Sequence, residues 1–411
     1  MSGSSSEASV GATTPTGSLS SVARLSASPA GSEEAGFTAI VVGGGIAGLL
    51  AGLSLQALGC DAHIYEAAPK APASASGDVA YLLTEELTGW LAAHKIALER
   101  KAFRTEGRQV LAEDGEVALQ DARQQTYISW RALHSALLEA FPKDNYHADA
   151  RVTGVDASHP DVVVIELASG ERIAGHMLVA ADGPTSCVRA QLLPSCQPAY
   201  AGYLAWRGVG HIDRLSPEAQ HCLADKGTMF KGPNLHMHVH PLPLADGCGE
   251  GQPLAWTWFN NQAEEELPGL LLDHDLRRYD AAVPLGSLNA AVADAVAAAA
   301  ADALPPPLAE LVACSVGSMG VAAVRDLALP CQAVGRVAFV GESGCVLRPH
   351  GTSSVDKALL DVSGLTATLR GFKLCIEKAL PRWDAQHLPR SVALCSAAAA
   401  AGNRLQGTDD C

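Results

Sequence analysis

FTAIVVGGGIAGLLAGLSLQALGCDAHIYEAAP, residues 37–69, decides the fold of this chain. Ala39 to Val42 is a short, unbroken apolar run, the pattern of a strand buried on both faces. Glycines follow, then Ile46 to Leu58 with apolar residues at helical spacing, then a second strand at His63 to Tyr65. Strand, turn, helix and strand make a βαβ unit, and its turn carries G-x-G-x-x-G. Gly43 permits the tight turn, Gly45 lets a pyrophosphate approach the backbone, and Gly48 lets helix and strand pack closely. Ile46 and Ala47 open the helix whose first N–H groups would receive the phosphates. Glu66, at the tip of the second strand, suits a ribose diol. The unit predicts a bound dinucleotide. Taken alone it leaves FAD and NAD both open, so an NAD-dependent dehydrogenase is one alternative.

The rest of the chain bounds what such a unit can serve. At 411 residues, 48 % of them hydrophobic, the chain can fill two or three packed cores. A net charge of −15 without clustered Lys and Arg argues against nucleic acid and for small-molecule chemistry. The eleven cysteines are scattered and lack C-x-x-C spacing, which points to reduced thiols in a cytoplasmic setting and to no metal site. No run reaches the ~18–20 apolar residues of a membrane span. The Ala-rich stretch 289–304 is broken by Asp294 and Asp302 and stopped by Pro305, as a helix would be. Residues 1–36, dominated by Ser, Ala, Thr and Gly, read as a disordered tail. Import into an organelle through that segment is the alternative, weakened by Glu7, Glu33 and Glu34.

Further along, SWRALHSALLEAFP (129–142) has a capping Ser, Leu133, Leu137 and Phe141 at helical spacing, and a Pro that stops it. ERIAGHMLVAADGPTSCVR (171–189) contains a strand ending at Asp182 and Gly183. GRVAFVGESGCVLRPHG (335–351) is a buried strand running into Gly341 and Glu342, a glycine and a carboxylate at a strand's carboxyl end. GGGIAG, AADGPTSCVR and GRVAFVGESG, in that order, resemble the three fingerprints of the single-component (class A) FAD-dependent aromatic hydroxylases. AGYLAWRGVG, LAWTWFNN, DHDLRRYDAAVPLGSL, LPPPLAELV and RPHGTSS are similar to the 2,6-dihydroxypyridine 3-monooxygenase branch, and the likeness runs from about residue 37 to beyond 361.

The resemblance implies a Rossmann-like α/β FAD-binding fold with a smaller α+β, sheet-based substrate domain and C-terminal helices. It implies a monooxygenase that reduces FAD with NADH or NADPH, forms a flavin C4a-hydroperoxide with O₂, and hydroxylates a small hydroxylated aromatic or N-heteroaromatic ring. An FAD-binding scaffold or sensor without turnover is the alternative. The expected divisions are 37–195 and 330–400 for the FAD domain, 196–329 for the substrate domain, and tails at 1–36 and 401–411. A homodimer is possible in such a family.

Three departures stand out. The family has Gly-Asp where this chain has Gly341 and Glu342, so the ribityl-binding carboxylate is one methylene longer, which predicts weakened flavin binding. Downstream, RPHGTSS stands where many members carry a Pro followed by G-Q-G; Gly351 and Thr352 are expected beside the flavin, at a helix start that favours negative charge. The arginine that relatives place on the later helix is not evident, and Arg131, next to Trp130, is the candidate in its stead. After Glu66 only Lys70, Gly77 and Asp78 offer polar contacts.

Residues 196–329 contain alternating, aromatic-rich strands at Tyr203 to Val209 and Leu254 to Asn260. LHMHVHPLP sets His236, His238 and His240 on one strand face. Tyr203, Trp206 and His238 are the candidate substrate contacts, with core packing the competing reading for Trp206. His350, beside the flavin turn, is the candidate catalytic base, where a near-neutral pKa would suit deprotonation of a ring hydroxyl.

Overall fold

The computed structural model describes residues 24–25, 36–69, 80–98, 101–243, 251–351 and 353–408. Strand β1 (Thr38–Val42) is buried at every position, as a parallel strand covered on both faces must be. It turns into α1 (Ile46–Ala57), and the chain returns as β2 (Asp61–Tyr65), parallel to β1 with Val42 opposite Tyr65. The chain then leaves this sheet for a hairpin, β3 (Gly107–Leu111) and β4 (Val117–Asp121). Helix α2 (Trp130–Ala140) follows; Ser129 caps it by accepting the Ala132 N–H at 3.1 Å, and Leu133, Ala136 and Leu137 are its buried face. Strand β5 (Met177–Ala180) comes back on the other side of β1.

Strands β6 (Ala199–His211), β7 (Lys226–Gly232), β8 (Leu235–Pro241) and β9 (Pro253–Asn261) build a second sheet. Helices α3 (Ala290–Ala303) and α4 (Pro306–Ala313) cover one of its faces, and β10 (Gly320–Ala328) joins it. Strand β11 (Val337–Phe339) re-enters the first sheet beside β5, and α5 (Ser354–Gly371) and α6 (Ile376–Gln406) complete the described chain.

The first sheet runs Ala333–Val334, β11, β5, β1, β2, Tyr146–His147, parallel apart from its first pair. One face packs on α1, α5 and α6 through Leu49, Leu50, Val362 and Trp383; the other packs on antiparallel strands that include Val163–Leu167 and Arg172–Gly175. The second sheet runs Ala282–Val283, β10, β6, β9, β8, β7, β3, β4. Its strands alternate as period two demands. Leu204, Trp206, Met237, Trp256 and Trp258 enter the core under α3 and α4, whereas Tyr203, Ala205 and Phe259 pack on the opposite side.

The structure redraws three of the expected limits. The hairpin β3–β4, expected in the FAD domain, pairs through β3 with β7 and so belongs to the second sheet, because β7 offers it a parallel edge. Residues 401–406, expected in a tail, are the last turns of α6; the helix passes through Pro381 and Pro389 and stops only at Gly407, whose φ of 65° is the left-handed cap that glycine favours. Within the expected N-terminal tail, Arg24–Leu25 forms a short strand on the open edge of Arg172–Gly175, and the rest up to residue 35 lies outside the described residues. No described helix is long and apolar enough to cross a membrane.

Candidate functional site

Turns at the carboxyl ends of three adjacent strands, β1, β5 and β11, form the candidate cofactor site, where open parallel sheets take their ligands. At the first, Gly43 has φ +101°, and a Cβ there would meet Ala181 O at 2.5 Å, so the first two turns touch. A Cβ on Gly48 would lie 1.9 Å from Gly43 O, which fixes glycine where helix meets turn. Gly45 precedes α1 with no side-chain cap, no acid in the first turn, and nothing within 4 Å of a hypothetical Cβ. The first N–H groups of α1 therefore face open space, a site for phosphate. Ile46 is buried, and Ala47 lies against Gly341.

Glu66 accepts the Gly44 N–H at 2.6 Å and the Ala68 N–H at 2.7 Å, one on each oxygen, leaving each a lone pair for a ribose hydroxyl. His134 of α2 reaches Gly44 O at 2.9 Å and stacks on Trp130; Arg131 is exposed on the same turn. In the second turn Asp182 accepts the Val188 N–H at 3.2 Å through Oδ2, but its Oδ1 is buried with no partner among the described residues, and Gly183 faces open space. A buried carboxylate oxygen in want of a donor suits a hydroxyl-rich ligand.

In the third turn Gly341 has φ +61°, and a Cβ there would stand 3.1 Å from Ala47. Both its peptide groups are held: its N–H by Asp361 Oδ2 at 2.9 Å, its carbonyl by Lys357 Nζ at 3.2 Å. Lys357 and Asp361 form an ion pair one helical turn apart, each about 1 % exposed. Burial pushes the Glu342 carboxyl above the usual carboxylate range, and the charges of Arg207 and Lys357 pull it back. Arg189, buried, ties the second turn to the third by donating to Pro184 O and, at 2.9 Å, to Ser343 O. Gly351 is exposed and open, while Thr352 lies outside the described residues, as do Lys70, Gly77 and Asp78. The start of α5 is not bare: Ser353 caps the Asp356 N–H at 3.1 Å, and Asp356 carries a carboxylate in the first turn.

The second sheet turns the side of Tyr203 toward these turns. The Tyr203 O–H lies 2.8 Å from His350 Nε2. Burial holds the phenol far above its ordinary pKa, so it stays protonated and can donate to His350. His236 stacks on Phe259 at 4.5 Å and lies 4.9 Å, ring to ring, from His350. Burial pushes all four histidines of this face down, His236 to about 2, His240 to about 3, His238 and His350 to about 4, so they are neutral at pH 7. Beyond His238 and His240 a cavity of about 580 Å³ opens, lined also by Arg108, Gln125, Tyr127 and Met229. Its one cation among these, Arg108, is paired with Asp121.

Two expectations change. Trp206, expected against substrate, points into the core under α3 and α4, 3 % exposed, with its N–H given to Asn260 at 2.8 Å; strand alternation sends it there because Tyr203 and Arg207 take the other face. His350 is not the near-neutral base expected, because it is enclosed and faces His238 and the Arg348 charge. The sequence reading passed over Arg189, the Lys357–Asp361 pair and Gln406. Only the pair left a signal, opposite charges at i, i+4 on an otherwise apolar helix face.

A family model described as an FAD binding domain matches residues 38–159, and one described as FAD binding domain-like matches 200–326. The 2,6-dihydroxypyridine 3-monooxygenase of Paenarthrobacter nicotinovorans is 27 % identical over 374 residues, covering 89 % of this chain and 91 % of that protein. The solved structure of 2,6-dihydroxypyridine-3-hydroxylase from Arthrobacter nicotinovorans superposes with a TM-score of 0.82 at 25 % identity, over 90 % of this chain and 93 % of that one. A Klebsiella pneumoniae structure complexed with FAD and uric acid shares the fold, with a TM-score of 0.72 at 23 % identity over 91 % of this chain and 90 % of the other. The open helix start, Glu66 and the Asp182 oxygen fit FAD, and with these relatives the chain is an FAD-dependent monooxygenase that resembles the single-component, class A aromatic hydroxylases.

Proposed function

We propose that the protein hydroxylates a small hydroxylated aromatic or N-heteroaromatic ring, using O₂ and NADH or NADPH. The flavin domain comprises 37–195 and 330–400, and the substrate domain 196–329 borrows the hairpin β3–β4. One observation carries the reading: the Tyr203 side of the second sheet meets the flavin turns, with His350 held by Tyr203 at 2.8 Å and Arg207 acting on Glu342.

Gly45, Ile46 and Ala47 would hold the pyrophosphate on backbone N–H groups, Glu66 would accept from the ribose, and Asp182, Gly183, Gly341, Glu342 and Gly351 would hold the rest of FAD. Bound FAD supplies acceptance of hydride and activation of O₂ for transfer of one oxygen atom to the substrate. The protein supplies orientation and exclusion of water. Neutral His238, His240, Gln125 and Tyr127 hold the ring by hydrogen bonds, which favours an uncharged hydroxylated ring, because Arg108 is already neutralised by Asp121. His350 stays neutral and anchors Tyr203.

The test is oxidation of NADH or NADPH by FAD-saturated protein across a panel of hydroxypyridines and phenols, with ¹⁸O₂ and mass analysis of the product. Stimulated oxidation with one labelled oxygen in the product is expected. No stimulation across the panel leaves an FAD-binding protein without turnover.

A further inference from the structure

The last turn of α6 closes on the candidate site from behind. A Cβ on Gly402 would meet the Tyr203 hydroxyl at 2.7 Å, His350 Cδ2 at 3.0 Å and Arg348 Cδ at 3.1 Å. Asn403 accepts from Arg348 at 2.7 Å, and Arg348 also donates to Asp326 at 2.6 Å. Gln406, fully buried, brings its amide nitrogen to 3.0 Å from His236 Nδ1, while its backbone carbonyl accepts from Asn261 at 3.0 Å. Residues at i, i+1 and i+4 on one helix end thus reach Tyr203, His350, Arg348 and His236, the side chains that join substrate sheet and flavin turn.

With the Gln406 amide nitrogen as donor, His236 Nδ1 accepts and its proton sits on Nε2, while Gln406 Oε1 is buried without a partner among the described residues. At His350 the logic runs the other way. With the Tyr203 O–H as donor to Nε2, the His350 proton sits on Nδ1. Two neutral imidazoles 4.9 Å apart are therefore held in opposite tautomers, one by Tyr203 and one by Gln406, and the N–H each presents, His236 Nε2 and His350 Nδ1, is buried without a partner among the described residues. We propose that Gln406 is a positioning residue: it sets the tautomer and orientation of His236 and thereby the polarity of the surface on which His350 and Tyr203 rest. Such partners one step removed from a site commonly fix a ring's tautomer. The proposal rests on the hydroxylase reading only for its effect on turnover; the tautomers themselves do not depend on it.

The test uses the FAD-loaded full chain labelled with ¹⁵N-histidine, in which two-bond ¹H–¹⁵N spectra separate the neutral tautomers. In the wild-type protein His236 should carry its proton on Nε2 and His350 on Nδ1. Glu at 406, an acceptor of nearly the same size, should switch His236 to Nδ1–H; Gln406→Leu should release it to a mixture and serves if Gln406→Glu folds poorly. NADH oxidation stimulated by 2,6-dihydroxypyridine should fall about 10-fold in Gln406→Glu, in which the bond to His236 is kept but reversed and the ring turns the opposite polarity to the site, while FAD affinity changes less than about 2-fold. An unchanged His236 tautomer in both variants overturns the proposal, and so does a switched tautomer with wild-type turnover. If the wild-type protein itself shows no turnover, the proposed function fails and the spectra alone decide the role of Gln406.

Discussion

Glu66 anchors the Gly44 and Ala68 amides, and its proposed second role, offering the remaining lone pairs to the ribose, is poorly separated from the first by a single substitution. Glu66→Ala should weaken FAD binding by about 1.5–3 kcal/mol for a lost charge-assisted bond, read by flavin titration into the apoprotein. Unchanged affinity would move the ribose elsewhere. Glu342 is the subtler case. Its carboxyl is raised by burial and held back by the charges of Arg207 and Lys357, and Glu342→Asp should leave FAD affinity equal or up to about 1–2 kcal/mol tighter, while Glu342→Ala should weaken it. An Asp variant that binds clearly worse would mean the turn is built around the longer acid. Beneath that turn, Lys357→Met strands Asp361 as a buried charge and should cost about 3–5 kcal/mol in urea unfolding, much of it restored by adding Asp361→Leu. An equally unstable double variant would show that the grip on Gly341, rather than the stranded charge, was the larger effect. The glycines and Glu66 were legible because their roles are local. Arg189 and Gln406 were not, since their partners lie 154 and 170 residues away and only the folded chain brings them within reach.

Strands, unlike single side chains, announce their faces. The alternation that put His236, His238 and His240 on one side of β8 was readable, yet which side would be core was not, and Trp206 fell on the wrong side of that choice. The histidine face also makes a pH prediction. Each of these four rings protonates near 6.5 in an unfolded chain but only at about 4 or below in the folded one. Between those values the unfolded state holds more protons, so stability rises with pH and is lost on acidification. Lowering the pH from 7 to 5 should lower the unfolding free energy by on the order of 1–2 kcal/mol per histidine. Glu342, whose carboxyl is raised, acts in the opposite sense. His240→Phe should flatten the acid limb of a urea-midpoint profile by about one histidine's share, since the ring stacked on Tyr127 would keep its shape. A wild-type profile level between pH 7 and 5 would refute this. The helices α1 and α5 show the same contrast: both begin beside the expected flavin path, but α1 has no side-chain cap, whereas Ser353 caps the Asp356 N–H of α5 and Asp356 sets a carboxylate in its first turn.

At the scale of the molecule, the fold class was legible from one βαβ unit, while the partition between sheets was not, because the hairpin β3–β4 reads like any other and is claimed by an edge far along the chain. The order of the first sheet carries one more consequence. β1, β2 and β5 lie before residue 181, but the neighbour that completes β5 lies at Val337–Phe339, after the whole substrate sheet. During synthesis from the N terminus, β5, buried at all four positions in the finished protein, waits with one side unpaired while more than a third of the chain is made. A nascent chain at that stage lacks Gly341 and Glu342 and should neither retain FAD nor resist aggregation, whereas release of the last segment should bring both at once. The cofactor then marks a finished chain: flavin fluorescence on ribosome-bound intermediates should stay at background until β11 has left the ribosome.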